Sequence, residues 1–217
     1  GRTLTNHGAK YVNSPQTSIF NKSKLLYGYH LAKEKIYKTK EIIVCEGYLD
    51  VIMLHQAGFN NAVATLGTAL TKDHLPLLRR GEPRVILSYD GDKAGQNAAF
   101  KASVMLSQNG FDGGVVIFEN GADPADMVKD RKIEKLEELF SNPTPFANFA
   151  ISYIVSSYNI NNPVEKQKAL SEANEYLSSL SQLYQEEYKR FLAQKLNIKE
   201  SLIKTSNNIY RKNSVEL

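Results

Sequence analysis

Apolar runs tipped with acid dominate the first half of the chain. Val85-Ile86-Leu87-Ser88-Tyr89 is β-branched, aliphatic and aromatic, and it predicts a buried strand. It breaks into Asp90-Gly91-Asp92. Glu41-Ile42-Ile43-Val44-Cys45 repeats the arrangement and delivers Glu46-Gly47-Tyr48-Leu49-Asp50. A third run, Val115-Val116-Ile117-Phe118, precedes Gly121-Ala122-Asp123-Pro124-Ala125-Asp126, and Ala62-Val63-Ala64-Thr65 reads as a short further strand. Helical patterns fill the gaps. One runs near 49–57 and is closed by Gly58, one covers about 72–79 with Thr71 as cap, and one covers about 94–108 and stops at Gly110. Strand–helix alternation of this kind predicts a parallel sheet flanked by helices.

The flanks read differently. Residues 1–24 are polar and rich in turn formers, and 25–38 predicts a helix with Leu25, Tyr29, Ala32 and Ile36 on one face. After Asp126 no strand pattern remains. Helices are expected over 132–140, over 146–157 with Phe146, Phe149, Ala150, Tyr153 and Ile154 on one face, and from Pro163 to about 180. Asn162-Pro163-Val164-Glu165 is a well-marked helix start: a cap, a proline in the first turn, and a glutamate near the positive end of the dipole. Further helices are expected over 182–196, with Leu183, Phe191 and Leu192 in its core face, and over 199–207. The fold class is therefore α/β, a mostly parallel sheet flanked by helices, followed by an all-α helical subdomain. The expected division is a basic segment over 1–40, the sheet domain over 41–130 and the helical part over 131–217.

Strands that end in acid carry the chemistry. In open parallel sheets, ligands gather outside the carboxyl ends of the strands. Asp90 and Asp92, one glycine apart, repel each other unless a cation or a proton lies between them. Mg²⁺, which takes oxygen ligands and keeps several waters, suits such a position. An Asp-Gly pair is also a common turn former, so the inference rests on Glu46 and Asp123 standing at neighbouring strand ends. Glu46 can bind metal directly, bind it through water, or act as a general base. Asp50 reads equally as a second acid behind Glu46 and as an ordinary helix N-terminal carboxylate. Asp126 reads as the cap of a following helix, which leaves Asp123 as the better ligand. Thr65, Gly67 and Thr68, with Thr71 beyond, are equally compatible with backbone approach to a phosphate and with a tight strand–helix connection. Lys93 is either a phosphate contact or a solvated charge.

Charge and composition narrow the classes. The formal net charge is +4, but residues 1–40 carry eight basic groups against Glu34, or +7, which leaves −3 (4 minus 7) for the rest. A basic arm ahead of an acidic pocket suits a polyphosphate or nucleic-acid ligand, and Arg2, Lys10 and Lys22 gain meaning if they fold back over the acids. The single cysteine, Cys45, excludes an intrachain disulfide and reads as a small buried hydrophobe turned away from Glu46. His7, His30, His55 and His74 show no ligand spacing, so no zinc site is expected. No long apolar stretch and no signal-like N-terminus is present, so the expectation is a cytoplasmic protein without a membrane partner.

Three stretches resemble the Toprim domain of bacterial DNA primases, in order and at comparable spacing. They are Glu46 to Ile52, Ala64 to Thr71, and Asp90-Gly91-Asp92-Lys93-Ala94-Gly95. Lys10-Tyr11-Val12-Asn13-Ser14-Pro15 with Ile19-Phe20-Asn21-Lys22 is similar to the primase segment that precedes Toprim. That second likeness separates primases from the topoisomerases, recombination mediators and nucleases that share the fold. The resemblance implies a Toprim-type sheet, with Glu46 as the Toprim glutamate, Asp90 and Asp92 as its paired aspartates, Asp123 as the later metal-site aspartate and Asp50 as a further acid. It implies that Arg2, Lys10 and Lys22 hold template or incoming nucleotide. Many primases read Asp-Pro-Asp where this chain has Asp123-Pro124-Ala125, so one expected carboxylate is missing at 125. The implied activity is Mg²⁺- or Mn²⁺-dependent synthesis of RNA primers from ribonucleoside triphosphates on single-stranded DNA, with the replicative helicase as partner. Primases also carry an N-terminal zinc-binding domain and a C-terminal helicase-binding domain, and the resemblance places both outside this chain. A Toprim hydrolase that cuts phosphodiesters, and a piece that only binds metal and nucleotide, are the alternative readings.

Overall fold

The computed structural model describes residues 17, 21–67, 69–118 and 122–204. The chain forms two compact units, one made of residues up to 102 with 112–143 and the other of 103–111 with the residues from 144. Helix α1 (Tyr29–Thr39) leads into β1 (Glu41–Cys45), α2 (Tyr48–Gln56) and β2 (Ala62–Ala64). A short helix α3 (Leu75–Leu78), β3 (Arg84–Tyr89), α4 (Lys93–Gln108) and β4 (Gly113–Ile117) follow, then α5 (Pro124–Lys129) and α6 (Ile133–Ser141). The strands of this unit pair in parallel in the order β2-β1-β3-β4. The register sets Cys45 beside both Ala64 and Ser88, and Tyr89 beside Ile117. The carboxyl ends of all four strands therefore share one rim. The chain leaves β1 to one side for β2 and returns to the other side for β3, so the strand order reverses between β1 and β3. That reversal is where open α/β sheets open a ligand crevice.

Burial follows from the runs themselves. Ile42, Ile43, Val44, Val85, Ile86 and Leu87 are wholly buried, as expected for strands covered on both faces. Ile43, Cys45, Val51, Leu54, Ile86, Val116, Leu136 and Phe140 belong to one core cluster, with the Phe59 ring edge-on to Phe140 at 5.3 Å. The α1 start differs from the periodicity reading. The helix begins at Tyr29, after Gly28, and the residues before it lie extended, with Tyr27 N–H donating to the Ala64 carbonyl at 2.7 Å. That shift exposes Leu25 and buries Leu26. β4 starts at Gly113 and ends at Ile117, because the two glycines at its start carry no hydrophobic signal. The expected helix over 72–79 is a 3₁₀ turn at Lys72–His74 followed by the short α3. Asn13-Ser14-Pro15, with Arg2 and Lys10 of the basic arm, lie outside the described residues.

The second unit takes the end of α4 and then a two-residue strand, β5 (Thr144–Pro145), where the pattern predicts none. Helices α7 (Phe146–Ser156), α8 (Pro163–Ser178) and α9 (Gln182–Leu196) complete it. Asn162 caps α8, its Oδ1 accepting from the N–H groups of Val164 and Glu165, with Pro163 in the first turn as the sequence requires. Ile151, Ile154, Leu177 and Leu192 are fully buried. Leu183 is exposed, contrary to its expected core place. Leu183 is the second residue of α9 and lies on the face opposite the helix's buried stripe of Gln185, Leu192, Ala193 and Leu196. No helix among the described residues is long and apolar enough to cross a membrane.

Candidate metal centre and active site

The acids meet where the strand order reverses. The Asp90 backbone N–H donates to Glu46 Oε1 at 3.1 Å, joining the tips of β1 and β3. Two glycines permit the approach. A Cβ on Gly91 would collide with the Phe118 carbonyl oxygen, and one on Gly95 would collide with the Asp90 carbonyl and stand 2.8 Å from Glu46 Oε1. A helix start, not the strand, sets Asp92. β3 ends at Tyr89, the backbone turns, and Asp92 sits at the start of α4 with its Oδ1 accepting from Gly95 N–H at 2.7 Å. Gln96 Nε2 donates to the Gly91 carbonyl at 2.8 Å and holds the turn shut.

Helix starts set the other two carboxylates. Asp50 reaches back to accept from Gly47 N–H at 3.1 Å. Asp123 caps α5, its Oδ1 accepting from Asp126 N–H at 2.6 Å. This corrects the expectation that Asp126 is the cap. Pro124 occupies the first helical position, where its missing N–H costs nothing, so the residue before it must cap. Asp92, Asp50 and Asp123 thus each commit one oxygen to a backbone N–H, and each keeps a second oxygen. Ala125 is buried and offers no carboxylate.

Electrostatics tie the five groups together. Burial first, then the Asp123 charge, pushes Asp50 up to about 7. Burial also raises Glu46, with the charges of Asp90 and Asp92 adding to it, and raises Asp90, with Asp123, Asp92 and Asp126 adding. Among the described residues none of the five acids forms an ion pair. This is the signature of carboxylates held together without their counter-charge. The donor set is all hard oxygen and suits a divalent cation such as Mg²⁺. No three His, Cys, Asp or Glu side chains among the described residues close on one point as a cage. Mg²⁺ generally takes one or two carboxylates and fills its shell with water and substrate phosphate, so an open cluster is compatible with it.

The remaining sequence candidates are placed as follows. Thr65 is buried, its N–H directed to the Cys45 carbonyl at 3.4 Å, and Gly67 follows on the same rim with φ +67°. Lys93 is exposed on the first turn of α4. Lys22 lies in a 3₁₀ turn, where its carbonyl accepts from His74 Nε2 at 3.2 Å, and His74 Nδ1 meets Thr71. Arg2, Lys10 and Thr68 lie outside the described residues. Cys45 is buried in the core, and burial pushes its thiol well up. The sequence reading assigns no role to Gln96 or Gly95. Gly95 had a legible signal, since it stands at the third helical position after the capping aspartate.

Three family models match the chain. Residues 43–128 match a Toprim-like domain, residues 1–33 the N-terminal domain of the DNA primase catalytic core, and residues 147–201 the DnaB-helicase binding domain of primase. The chain is similar to the DNA primase of Helicobacter pylori strain J99, 58% identical over 193 residues that cover 89% of this chain and 34% of that protein. It is 45% identical to the DNA primase of Campylobacter jejuni over 209 residues, covering 96% and 34%. Among solved structures it resembles the DnaG catalytic core with a TM-score of 0.77 and 32% identity, covering 94% of this chain and 67% of that one. The chain belongs to the DNA primase family. It spans about a third of the length of the curated relatives it matches (34%). A DnaG primase catalytic domain bound to single-stranded DNA is also similar, at TM-score 0.78 and 33% identity, covering 93% and 65%. The Toprim-type sheet expected from the sequence is the one found. The match over 147–201 corrects another expectation, because a helicase-binding model of the primase family falls within the helical part and not beyond the chain.

Proposed function

We propose that the chain provides the nucleotidyl-transfer centre of a DNA primase, joining ribonucleotides into short RNA primers on single-stranded DNA. The observation that supports this is the Asp90 N–H to Glu46 contact across the β1/β3 boundary, which joins the acid-bearing tips of two separate strands. In the reaction a 3′-hydroxyl attacks the α-phosphate of a ribonucleoside triphosphate and pyrophosphate leaves. Glu46, Asp90, Asp92 and Asp123, with Asp50 behind, would hold Mg²⁺ or Mn²⁺, whose bound form supplies Lewis acidity at the hydroxyl and neutralises phosphate charge. The protein's own part is positional. The Asp90 N–H orients Glu46, Gly95 N–H orients Asp92, and the Asp126 N–H orients Asp123. Thr65, Gly67, Thr68 and Lys93 are the candidate phosphate contacts in this reading, and Arg2, Lys10 and Lys22 bring positive charge to template or nucleotide.

Residues 41–130 form the catalytic domain in this reading. The helical part takes part in contact with the replicative helicase, supported by the family model over 147–201. The setting is the cytoplasm, where a buried, unpaired Cys45 is at home. A ribonucleotide-incorporation assay on single-stranded DNA tests the proposal. The chain extends primers in Mg²⁺, and Glu46→Gln abolishes extension. Nicked DNA with no incorporated ribonucleotide would contradict it.

A further inference from the structure

An exposed aromatic pair stands on the same rim as the acids. Tyr27 and Tyr48 lie with ring centroids 4.8 Å apart, tilted by 39°, and remain 36% and 37% exposed. Burying large rings is among the most favourable contributions available to a fold, so two partly open rings packed on each other call for an explanation. Their backbones are firmly placed. Tyr27 exchanges two hydrogen bonds with Ala64, its N–H donating at 2.7 Å and its carbonyl accepting at 3.1 Å, which fixes it at the carboxyl end of β2. Tyr48 is the first residue of α2, two residues beyond Glu46 at the carboxyl end of β1. Gly28, next to Tyr27, lets α1 approach α2, since a Cβ there would stand 3.1 Å from Val51. Adjacent strands are about 4.8 Å apart; Tyr48 follows β1, the neighbour of the strand that carries Asp90, and Tyr27 lies beyond β2, so the pair reaches outward along the rim from the acids. Ile52, one turn beyond Tyr48, is also exposed and continues the apolar surface. Lys22 and Lys24 lead into Tyr27 along the chain.

Open aromatic rings beside basic residues and a phosphate-handling site are the combination that holds unpaired bases, because every base presents a π-face. We propose that Tyr27 and Tyr48 form a stacking platform for an unpaired nucleobase, belonging either to a single-stranded template or to a nucleoside triphosphate, beside the acidic centre. The proposal rests on the nucleotidyl-transfer reading above and adds to it the group that positions the base.

Binding by the full chain in Mg²⁺ tests it, with a fluorescein-labelled single-stranded oligonucleotide, an abasic strand of equal length, and ATP as probes. The unaltered chain prefers the base-bearing strand to the abasic one, which needs no variant. Tyr27→Ala and Tyr48→Ala each weaken binding about tenfold, while Tyr48→Phe retains it. The salt dependence stays unchanged in these variants and falls in Lys22→Ala, since only the lysine touches the electrostatic part. Loss confined to the oligonucleotide assigns the platform to the template strand, and loss confined to ATP assigns it to the incoming nucleotide. Unchanged affinity for both probes in Tyr48→Ala, or equal affinity of the unaltered chain for abasic and base-bearing strands, overturns the proposal alone. Failure of the unaltered chain to bind either probe overturns the nucleotidyl-transfer reading as well.

Discussion

Asp50 makes the metal-free protein less stable as the medium becomes more basic, and Asp50→Asn reverses this. The carboxyl is only 7% exposed, stands near Asp123, Asp90 and Glu46, and is pushed from its ordinary 3.8 up to about 7. The folded state therefore holds this proton more tightly than the unfolded chain does. Its stabilising contribution is full below the ordinary value near 3.8 and is lost as pH rises through about 7. The whole displacement corresponds to about 4 kcal/mol. Asparagine keeps an oxygen for the Gly47 N–H and cannot ionise. Without divalent cation, the variant's advantage over the unaltered protein grows by about 2–3 kcal/mol between about pH 5 and about pH 8. The raised Glu46 and Asp90 stay common to both proteins. Urea unfolding followed by circular dichroism across that range, in EDTA, reads the difference. Saturating Mg²⁺ narrows it by stabilising the ionised cluster, by about 2.7 kcal/mol at a hundredfold excess over Kd. A gap that does not change with pH, or a variant less stable than the parent at the basic end, would refute the reasoning.

Other consequences follow from the same contacts. Gly95→Ala drives a methyl into the Asp90 carbonyl and toward Glu46 Oε1. It costs about 1–3 kcal/mol of stability and weakens Mn²⁺ binding in a calorimetric titration. Asn162→Ala removes the cap of α8 and costs about 1 kcal/mol in thermal unfolding while leaving divalent-cation binding unchanged.

The strands and their acid tips were legible because fully buried parallel strands must be continuous apolar runs. Ile42 to Val44 and Val85 to Leu87 could have no other place in an α/β domain. The grouping of Glu46 with Asp90 followed from the rule that ligands gather at the carboxyl ends. The carboxylate orientations were less legible, because backbone N–H groups at helix starts set them and side-chain periodicity does not. Asp92 turns with α4 and Asp123 caps α5, and only Pro124 signalled the latter. Leu25 and Leu26 exchanged roles for a similar reason: Gly28 delays the helix, and an extended segment pairs with Ala64 instead. Tyr27 and Tyr48 meet only because that pairing exists, and their spacing along the chain carries no hint of it.

Titration calorimetry of Mn²⁺ into the unaltered chain and into Asp90→Ala/Asp92→Ala goes straight to the gathering of acids on the β1/β3 rim. A saturable heat in the first protein that vanishes in the second is the outcome this geometry requires. Binding that survives both substitutions undiminished would mean the cation is held elsewhere, and the carboxylates at the reversal of strand order would need another explanation.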